Sequence, residues 1–379
     1  MPNGGGLRHK VNPIWTSLSA AGTACALASF LVIFAKMAGE KAAARGTFTV
    51  DINKGTRRLA AAAGERLMRA LRNEGIFMPS ACGGRGACGY CKCRVTSGGG
   101  ALAPAEERLL TEAEKARGVR LSCQVPLRGD MTILIPEGLF AVKTFRGVVE
   151  RIGDLTYDIK ELHIRLIQPR AIEFIPGQYV QLEAPPPRPG PPVRRAYSMS
   201  SPPADNGRIE LMIRLVPGGM CTTWVFNVLR QGDEVTFSGP YGEFHMSNSS
   251  AEMIWIGGGS GMAPFWSLVR HMKASNIARA CTYFFGAVRK RDLFLVDELR
   301  QLEKELPWFT FIPALSGRAE GEEWSGERGL ITEVLDRHVA GGAGKEAYLC
   351  GSPGMIDAAI KVLSRKGVTG DRIFYDKFT

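Results

Sequence analysis

Arg195-Ala196-Tyr197-Ser198 and, further along, Gly257-Gly258-Gly259-Ser260-Gly261-Met262-Ala263-Pro264 are the two stretches on which the organisation of the chain turns. The first sits on a short strand in a β-rich region. The second follows the apolar run Met253-Ile254-Trp255-Ile256 and opens a helix, because Phe265, Leu268, Val269 and Met272 recur at i, i+3, i+4 and i+7. Glycines let the backbone come close to a diphosphate, and a helix start offers free N–H groups and the positive end of its dipole. A glycine-rich turn also serves as an ordinary tight connection; a strand before it and a helix after it favour the phosphate reading.

With 379 residues the chain suits two or three domains, and its 45% hydrophobic content is ordinary for globular protein. The formal net charge of +11 comes from scattered Lys and Arg, without a basic helix or an aromatic RNA-binding signature. A membrane surface or an acidic partner accounts for it better than nucleic acid does. Four of the nine cysteines stand at cluster-ligand spacing, which points to a reducing compartment.

Ile14 to Ala35 carries no formal charge, and at about 1.5 Å per residue it would span roughly the 30 Å of a bilayer core. Trp15 lies at one edge, where an interfacial aromatic is expected. A cleaved signal peptide is the rival reading, but a single anchor with a cytoplasmic body suits a reductive enzyme.

Thr47 to Asn53 reads as a strand and Glu65 to Glu74 as a helix. Next comes Ser80-Ala81-Cys82-Gly83-Gly84-Arg85-Gly86-Ala87-Cys88-Gly89-Tyr90-Cys91, and much later Leu121-Ser122-Cys123-Gln124. The spacing C-x5-C-x2-C with a distant fourth Cys gives Cys82, Cys88, Cys91 and Cys123 as ligands of a [2Fe–2S] centre, in a glycine-rich loop whose N–H groups can point at the sulfurs. A zinc knuckle using Cys88, Cys91 and Cys93 lacks a nearby His, and Cys93 reads as a core residue.

From Lys143 the pattern becomes short strands: Arg146 to Ile152, Lys160 to Leu166, Tyr179 to Glu183, Arg195 to Ser200, Ile209 to Val216 and Glu234 to Ser238. These predict an antiparallel barrel. The link Pro185-Pro186-Pro187-Arg188-Pro189-Gly190-Pro191-Pro192 should be extended and exposed. Beyond it, strands at Cys281 to Gly286, Phe309 to Pro313, Glu346 to Cys350 and Ile373 to Tyr375 alternate with amphipathic helices. That alternation predicts a doubly wound parallel sheet with its ligand at the strand C-termini.

Arg-x-Tyr-Ser together with Gly-Gly-Gly-x-Gly-x-Ala-Pro resembles the ferredoxin–NADP reductase superfamily. With the cysteine spacing and the N-terminal apolar run, the whole chain resembles the family of F subunits of the Na+-translocating NADH:quinone oxidoreductases. The resemblance implies a multidomain chain: a single N-terminal transmembrane helix and linker (1–45), an α+β β-grasp [2Fe–2S] ferredoxin domain (46–138), an antiparallel β-barrel FAD domain (139–246) and an α/β Rossmann-like NADH-binding domain (247–379). It also implies residue roles. Arg195 would pair with the FAD diphosphate, Tyr197 would pack on the isoalloxazine and Ser198 would hydrogen-bond near flavin N5. Gly218, Gly219, Met220, Cys221 and Thr222 would give a second phosphate contact. Gly258, Gly259, Gly261, Met262 and Pro264 would form the nicotinamide-side turn. Cys350, with Gly351 and Pro353, would stand beside the nicotinamide and support hydride transfer; a buried structural cysteine is the rival reading. Phe378 would cover the flavin face and move for nicotinamide to stack, unless the terminus merely frays.

Gly286 to Phe294 looks like the NADH-using members, although Arg289, Lys290 and Arg291 could receive a 2′-phosphate. The implied activity is NADH oxidation through FAD to the [2Fe–2S] cluster, at the bacterial inner membrane with cytoplasmic catalytic domains. Electrons would pass to partner subunits and quinone, with no nucleic-acid role. One departure stands out: the link from Glu183 to Arg195 is shorter than the insertion the family carries there. A reductase feeding a terminal oxygenase, and a flavin-binding scaffold without turnover, are the competing functions.

Overall fold

In the computed structural model, residues 46–186, 190, 192–317 and 323–378 are described. The expected anchor at 14–35 and half of the proline-rich link lie outside them. Among the described residues, no helix is long and apolar enough to cross a membrane.

Three sheets follow one another along the chain. The first holds β1 (Thr47–Ile52), β2 (Arg57–Ala62), β3 (Lys92–Ser97), β4 (Val119–Leu121) and β5 (Met131–Leu134), in the order β2-β1-β5-β3-β4. Only β1 and β5 pair in parallel. The helix Leu67–Asn73 lays Leu67, Met68, Ala70 and Leu71 on this sheet against Val50, Ile52, Leu121 and Ile133. Cys93 is buried in that core, as expected of it. β2 and β4 were not expected from the sequence: Arg57-Arg58-Leu59-Ala60-Ala61-Ala62 favours helix by composition, yet Leu59 and Ala61 alternate inward on an edge strand.

The second sheet comprises β6 (Lys143–Asp154), β7 (Ile159–Gln168), β8 (Tyr179–Ala184), β9 (Val193–Ser198), β10 (Arg208–Arg214) and β11 (Glu234–Tyr241), in the order β10-β7-β6-β11-β8-β9. All its pairings are antiparallel. The expected antiparallel barrel is seen as a half-barrel whose edges meet at the bridge Met199–Leu211. Phe145, Leu182, Leu211 and Phe237 fill its interior.

The third sheet is parallel throughout: β12 (Met253–Gly258), β13 (Cys281–Ala287), β14 (Phe309–Leu315), β15 (Glu327–Arg328), β16 (Glu346–Gly351) and β17 (Ile373–Lys377). Their order, β15-β14-β13-β12-β16-β17, reverses between β12 and β16. Helices cover both faces, which is why Met253, Ile254, Trp255 and Ile256 are all buried in one unbroken apolar run. A crevice at such a reversal, beyond the strand C-termini, is where doubly wound sheets hold ligands.

Candidate functional site

The reversal sets Gly257 opposite Cys350 in the β12–β16 register, so the glycine turn and the end of β16 share one edge. Gly259 adopts φ +57°, which favours glycine, and a Cβ at Gly261 would lie 2.3 Å from the Cys350 carbonyl. Gly261 therefore serves the close packing of turn on strand. The helix Met262–Ala274 begins there and is tied to the second sheet: Ser267 Oγ donates to the Ser201 carbonyl at 2.6 Å, and Arg270 pairs with Glu210. These contacts fix the glycine turn against the strand that carries Arg195.

Between the three sheets lies a cavity of about 460 Å³, within the usual range for a cofactor site. Arg195, Ala196, Tyr197 and Ser198 form one wall. Gly218, Gly219, Met220, Cys221 and Thr222, the loop and start of the helix Met220–Asn227, form a second. Thr222 Oγ1 is spent on its own loop, accepting from Val216 N at 3.2 Å and donating to the Gly219 carbonyl at 3.1 Å. Gly258, Ser260, Gly351 and Ser352 close the side formed by the third sheet, and Phe378 also lines the cavity, its N–H bonded to the Gly351 carbonyl at 2.9 Å. Ala81, Arg85 and Tyr90 of the cysteine loop also line it.

The cavity is cationic. Arg85, Arg195, Arg214 and Lys377 line it, against the carboxylate of Asp376. Arg214 is held by Asp158 at 2.8 Å and Lys377 by Asp357 at 2.7 Å. Arg195 Nη1 donates to the Arg194 carbonyl at 2.7 Å. Burial pushes the Asp376 carboxyl up to about 6, opposed by the hydrogen bond it accepts from Tyr90. Ser198 Oγ is buried without a hydrogen-bond partner among the described residues, and a ligand polar atom would satisfy it. Cations, a helix start, an unpaired hydroxyl and this volume together fit a flavin dinucleotide.

Not every expected residue reaches the cavity. Cys350, Met262 and Pro264 are buried, and Cys350 and Met262 belong to the hydrophobic core behind the wall. Burial holds the Cys350 thiol well above its ordinary range, so it stays protonated. β16 presents the Gly351 backbone to the cavity, not the Cys350 thiol. Pro353 starts the following helix. Ser260, Ser352, Arg85 and Arg214 line the cavity and were not singled out in the sequence; the first two lie inside recognised motifs, where the glycines carry the signal. The Arg289 backbone N–H donates to Asp292 Oδ2 at 2.8 Å, closing its own turn, and Arg291 stacks 4.7 Å from the Tyr157 ring.

The four expected cluster cysteines come as two pairs. Cys88 and Cys82 lie 3.4 Å apart, sulfur to sulfur. Cys123 is joined to Cys91 through its own hydrogen bond and through Ser122 N to the Cys91 carbonyl at 2.9 Å. Within each pair the mutual hydrogen bond lowers one thiol (Cys82, Cys123) and raises its partner (Cys88, Cys91). Among the described residues, no three His, Cys, Asp or Glu side chains converge as ligands of a single metal ion. Pairs are what a two-iron centre requires, since four thiolates are divided over two irons and bridging sulfides complete each. Gly83, Gly84, Gly86 and Gly89 all take positive φ in this loop. At Gly83 a Cβ would meet Arg195 Nη1 at 2.4 Å and the Arg194 carbonyl at 2.5 Å, so the cysteine loop packs directly on the cavity strand.

Three family models match in the same order. A 2Fe-2S iron-sulfur cluster binding domain covers residues 50–128, an oxidoreductase FAD-binding domain 147–246 and an oxidoreductase NAD-binding domain 255–361. The F subunit of the Na(+)-translocating NADH-quinone reductase of Neisseria meningitidis is 36% identical, over 92% of this chain and 95% of its own length. The chain belongs to the family of these F subunits. The F subunit of Pseudomonas aeruginosa is likewise 36% identical, over 95% of this chain and 98% of its own. The Neisseria alignment runs over 391 positions against 379 residues here, so the relative carries residues this chain lacks. Among solved structures, the cytochrome P450 reductase of Amycolatopsis superposes with a TM-score of 0.71 at 30% identity, over 88% of this chain and 99% of that one. The ferredoxin reductase in carbazole 1,9a-dioxygenase shares the fold, with a TM-score of 0.67 at 24% identity.

Proposed function

We propose that this chain is the membrane-anchored NADH-oxidising component of a multi-subunit NADH:quinone oxidoreductase, anchored once through residues 14–35 in a bacterial inner membrane with its other domains in the cytoplasm. The domain limits proposed are 1–45, 46–138, 139–246 and 247–379. The chain is an oxidoreductase that takes NADH, FAD and a [2Fe–2S] cluster. When bound, the flavin accepts hydride from NADH and passes electrons singly to the cluster. The observation that carries the reading is that the cysteine loop, the Arg195 strand, the glycine turn and the C-terminus all border one cavity.

The residues divide the work by chemistry. Arg195 and the helix start at Gly218–Thr222 are proposed to hold the FAD diphosphate, and Tyr197 and Ser198 to seat its ring and receive its polar edge. Gly258, Gly259 and Gly261 would let the NADH diphosphate approach, with Met262 and Pro264 fixing the turn from the core. Cys350 would act through its strand, presenting Gly351, while Pro353 would aim the next helix start. Phe378 would shield the ring from water and yield to nicotinamide. Cys82 with Cys88 and Cys91 with Cys123 would ligate the two irons. Arg195→Ala removes a charge-assisted phosphate contact, so flavin retention on purification should fall about tenfold or more. Full flavin occupancy in the variant would remove Arg195 from the site.

A second reading, a reductase serving a terminal oxygenase, is favoured by the short link from Glu183 to Arg195 and by the likeness to the P450 reductase. Expressed without residues 1–40, the chain should leave the membrane fraction and still reduce ferricyanide with NADH. Loss of that activity in a flavin-loaded protein would defeat both enzyme readings, and retention in the membrane would move the anchor elsewhere. Proteins that co-purify with the full chain separate the quinone complex from the oxygenase system.

A further inference from the structure

The loop that carries the cluster cysteines also carries one aromatic side chain, Tyr90, between Cys88 and Cys91. Its ring is absent from the hydrophobic core of the first sheet, so it does not serve that fold. Instead its hydroxyl reaches across the molecule, donating to Asp376 Oδ1 at 3.1 Å and lying 3.4 Å from the Lys377 carbonyl. Asp376 is not on a loose tail. β17 pairs it with Cys350 in the parallel register, and the next turn of chain is tied back by Phe378 N to the Gly351 carbonyl. The acceptor is therefore fixed to the same strand end that borders the flavin cavity.

The surrounding interface is not tightly packed. A second cavity of about 580 Å³ lies where the three sheets meet, with Tyr90, Tyr179, Tyr241, Phe374 and Asp376 in its walls. Tyr179 Oη, also in that wall, is buried without a partner among the described residues. Elsewhere the cysteine loop and its approach touch the second sheet, through Gly83 on Arg194 and through Gln181 Nε2 donating to the Met78 carbonyl at 3.2 Å. Phe77 and Leu139 pack with Val142, Tyr179 and Tyr241 beside this cavity, and the hydrogen bond from Tyr90 to the Asp376 carboxylate ties the cysteine loop itself to β17.

We propose that Tyr90 is a positioning residue: it clamps the cysteine loop to the C-terminal strand and so sets how fast electrons pass from the flavin cavity to the cluster. This rests on the electron route proposed above. Tyr90 and Asp376 also line the flavin cavity, so the clamp is read from the second transfer relative to the first; the glycine turn and the Arg195 strand are joined independently of it through Ser267 and Arg270.

The test uses the full chain loaded with FAD and cluster, mixed rapidly with NADH while flavin absorbance and the reduced-cluster electron paramagnetic resonance signal are followed. In Tyr90→Phe the cluster-reduction rate should fall about three- to tenfold relative to the flavin-reduction rate, the range expected for losing one hydrogen bond to a carboxylate. The cluster's signal shape and midpoint potential should stay those of the parent. Asp376→Ala should lower the same ratio, and the double variant should be no worse than either single one. Asp376→Asn, which keeps an acceptor oxygen, should restore the ratio. An unchanged ratio in Tyr90→Phe, additive losses in the double variant, or a shifted cluster potential that accounts for the slower rate would each overturn the clamp. If the parent holds no cluster or its cluster is never reduced by NADH, the electron route itself falls and the clamp with it.

Discussion

Cys123→Ala should abolish the visible and paramagnetic spectrum of the cluster while leaving FAD content and NADH oxidation by ferricyanide close to those of the parent. The expectation follows from how the cysteines are distributed. Cys82, Cys88 and Cys91 share one loop, but Cys123 arrives after β4 and is held beside Cys91 by backbone and by Gln124 Nε2 on its sulfur at 3.3 Å. Removing it leaves one iron with a single thiolate. The domain itself should survive. Its core of Val50, Ile52, Leu67, Leu71 and Ile133 does not depend on iron, and the buried Arg120–Glu106 pair at 2.8 Å ties the 99–121 segment independently. Flavin binding draws on the second and third sheets and should be spared. A normal cluster spectrum in Cys123→Ala would reject the ligand set, and loss of FAD with the cluster would mean that the two sites are not separable.

Much of this organisation is legible in residue order because its chemistry is local. A glycine turn after an apolar strand, an arginine two residues before a tyrosine, and cysteines at fixed spacing each declare their use within a dozen residues. The doubly wound sheet follows from alternation alone, and the observed β12, β13, β14, β16 and β17 each overlap an expected strand. What sequence conceals is contact between distant residues of unremarkable type. Glu106 and Arg120, or Arg279 and Glu346, look like surface charges, yet each pair is nearly sealed. Tyr90 reads as a spacer between two ligands until it is found on Asp376, 286 residues away. The Cys350 motif leaves open whether the thiol stands beside a ligand or in the core; β16 is buried along its whole length, with the Cys350 side chain in the core and Gly351 at the cavity.

The largest stability effect is expected at Arg279→Ala. Arg279 donates to Glu346 at 2.7 Å, to Ser249 Oγ at 3.1 Å and to the Ser247 carbonyl at 3.1 Å, and the Arg279 and Glu346 side chains are both buried. Glu346 opens β16, the strand whose far end borders the cavity, and it also accepts from Ser249 and Tyr348, each at 2.7 Å. Removing the guanidinium strands a buried carboxylate, a change that costs about 3–5 kcal/mol. Calorimetry of the full chain should show the transition of the third sheet lowered by roughly 10 °C or more. Acid gives the charge its signature. Burial alone would raise Glu346, but hydrogen bonds from Ser249, Tyr348, Arg279 and Ser247 outweigh it and hold the carboxyl at about 2, below its ordinary 4.5. A depressed carboxyl contributes stability that is present above about 4.5 and lost as pH falls toward about 2. Without Arg279 the folded carboxyl titrates higher, and protonation then relieves the stranded charge. The gap between parent and variant should therefore narrow as pH drops from about 7 toward about 4, and replacing both partners, Arg279→Met with Glu346→Leu, should restore most of the loss. A gap that stays constant with pH would assign the effect to lost packing, and a double variant no better than Arg279→Ala would show that the neighbouring hydroxyls, left unpaired, carry the cost instead.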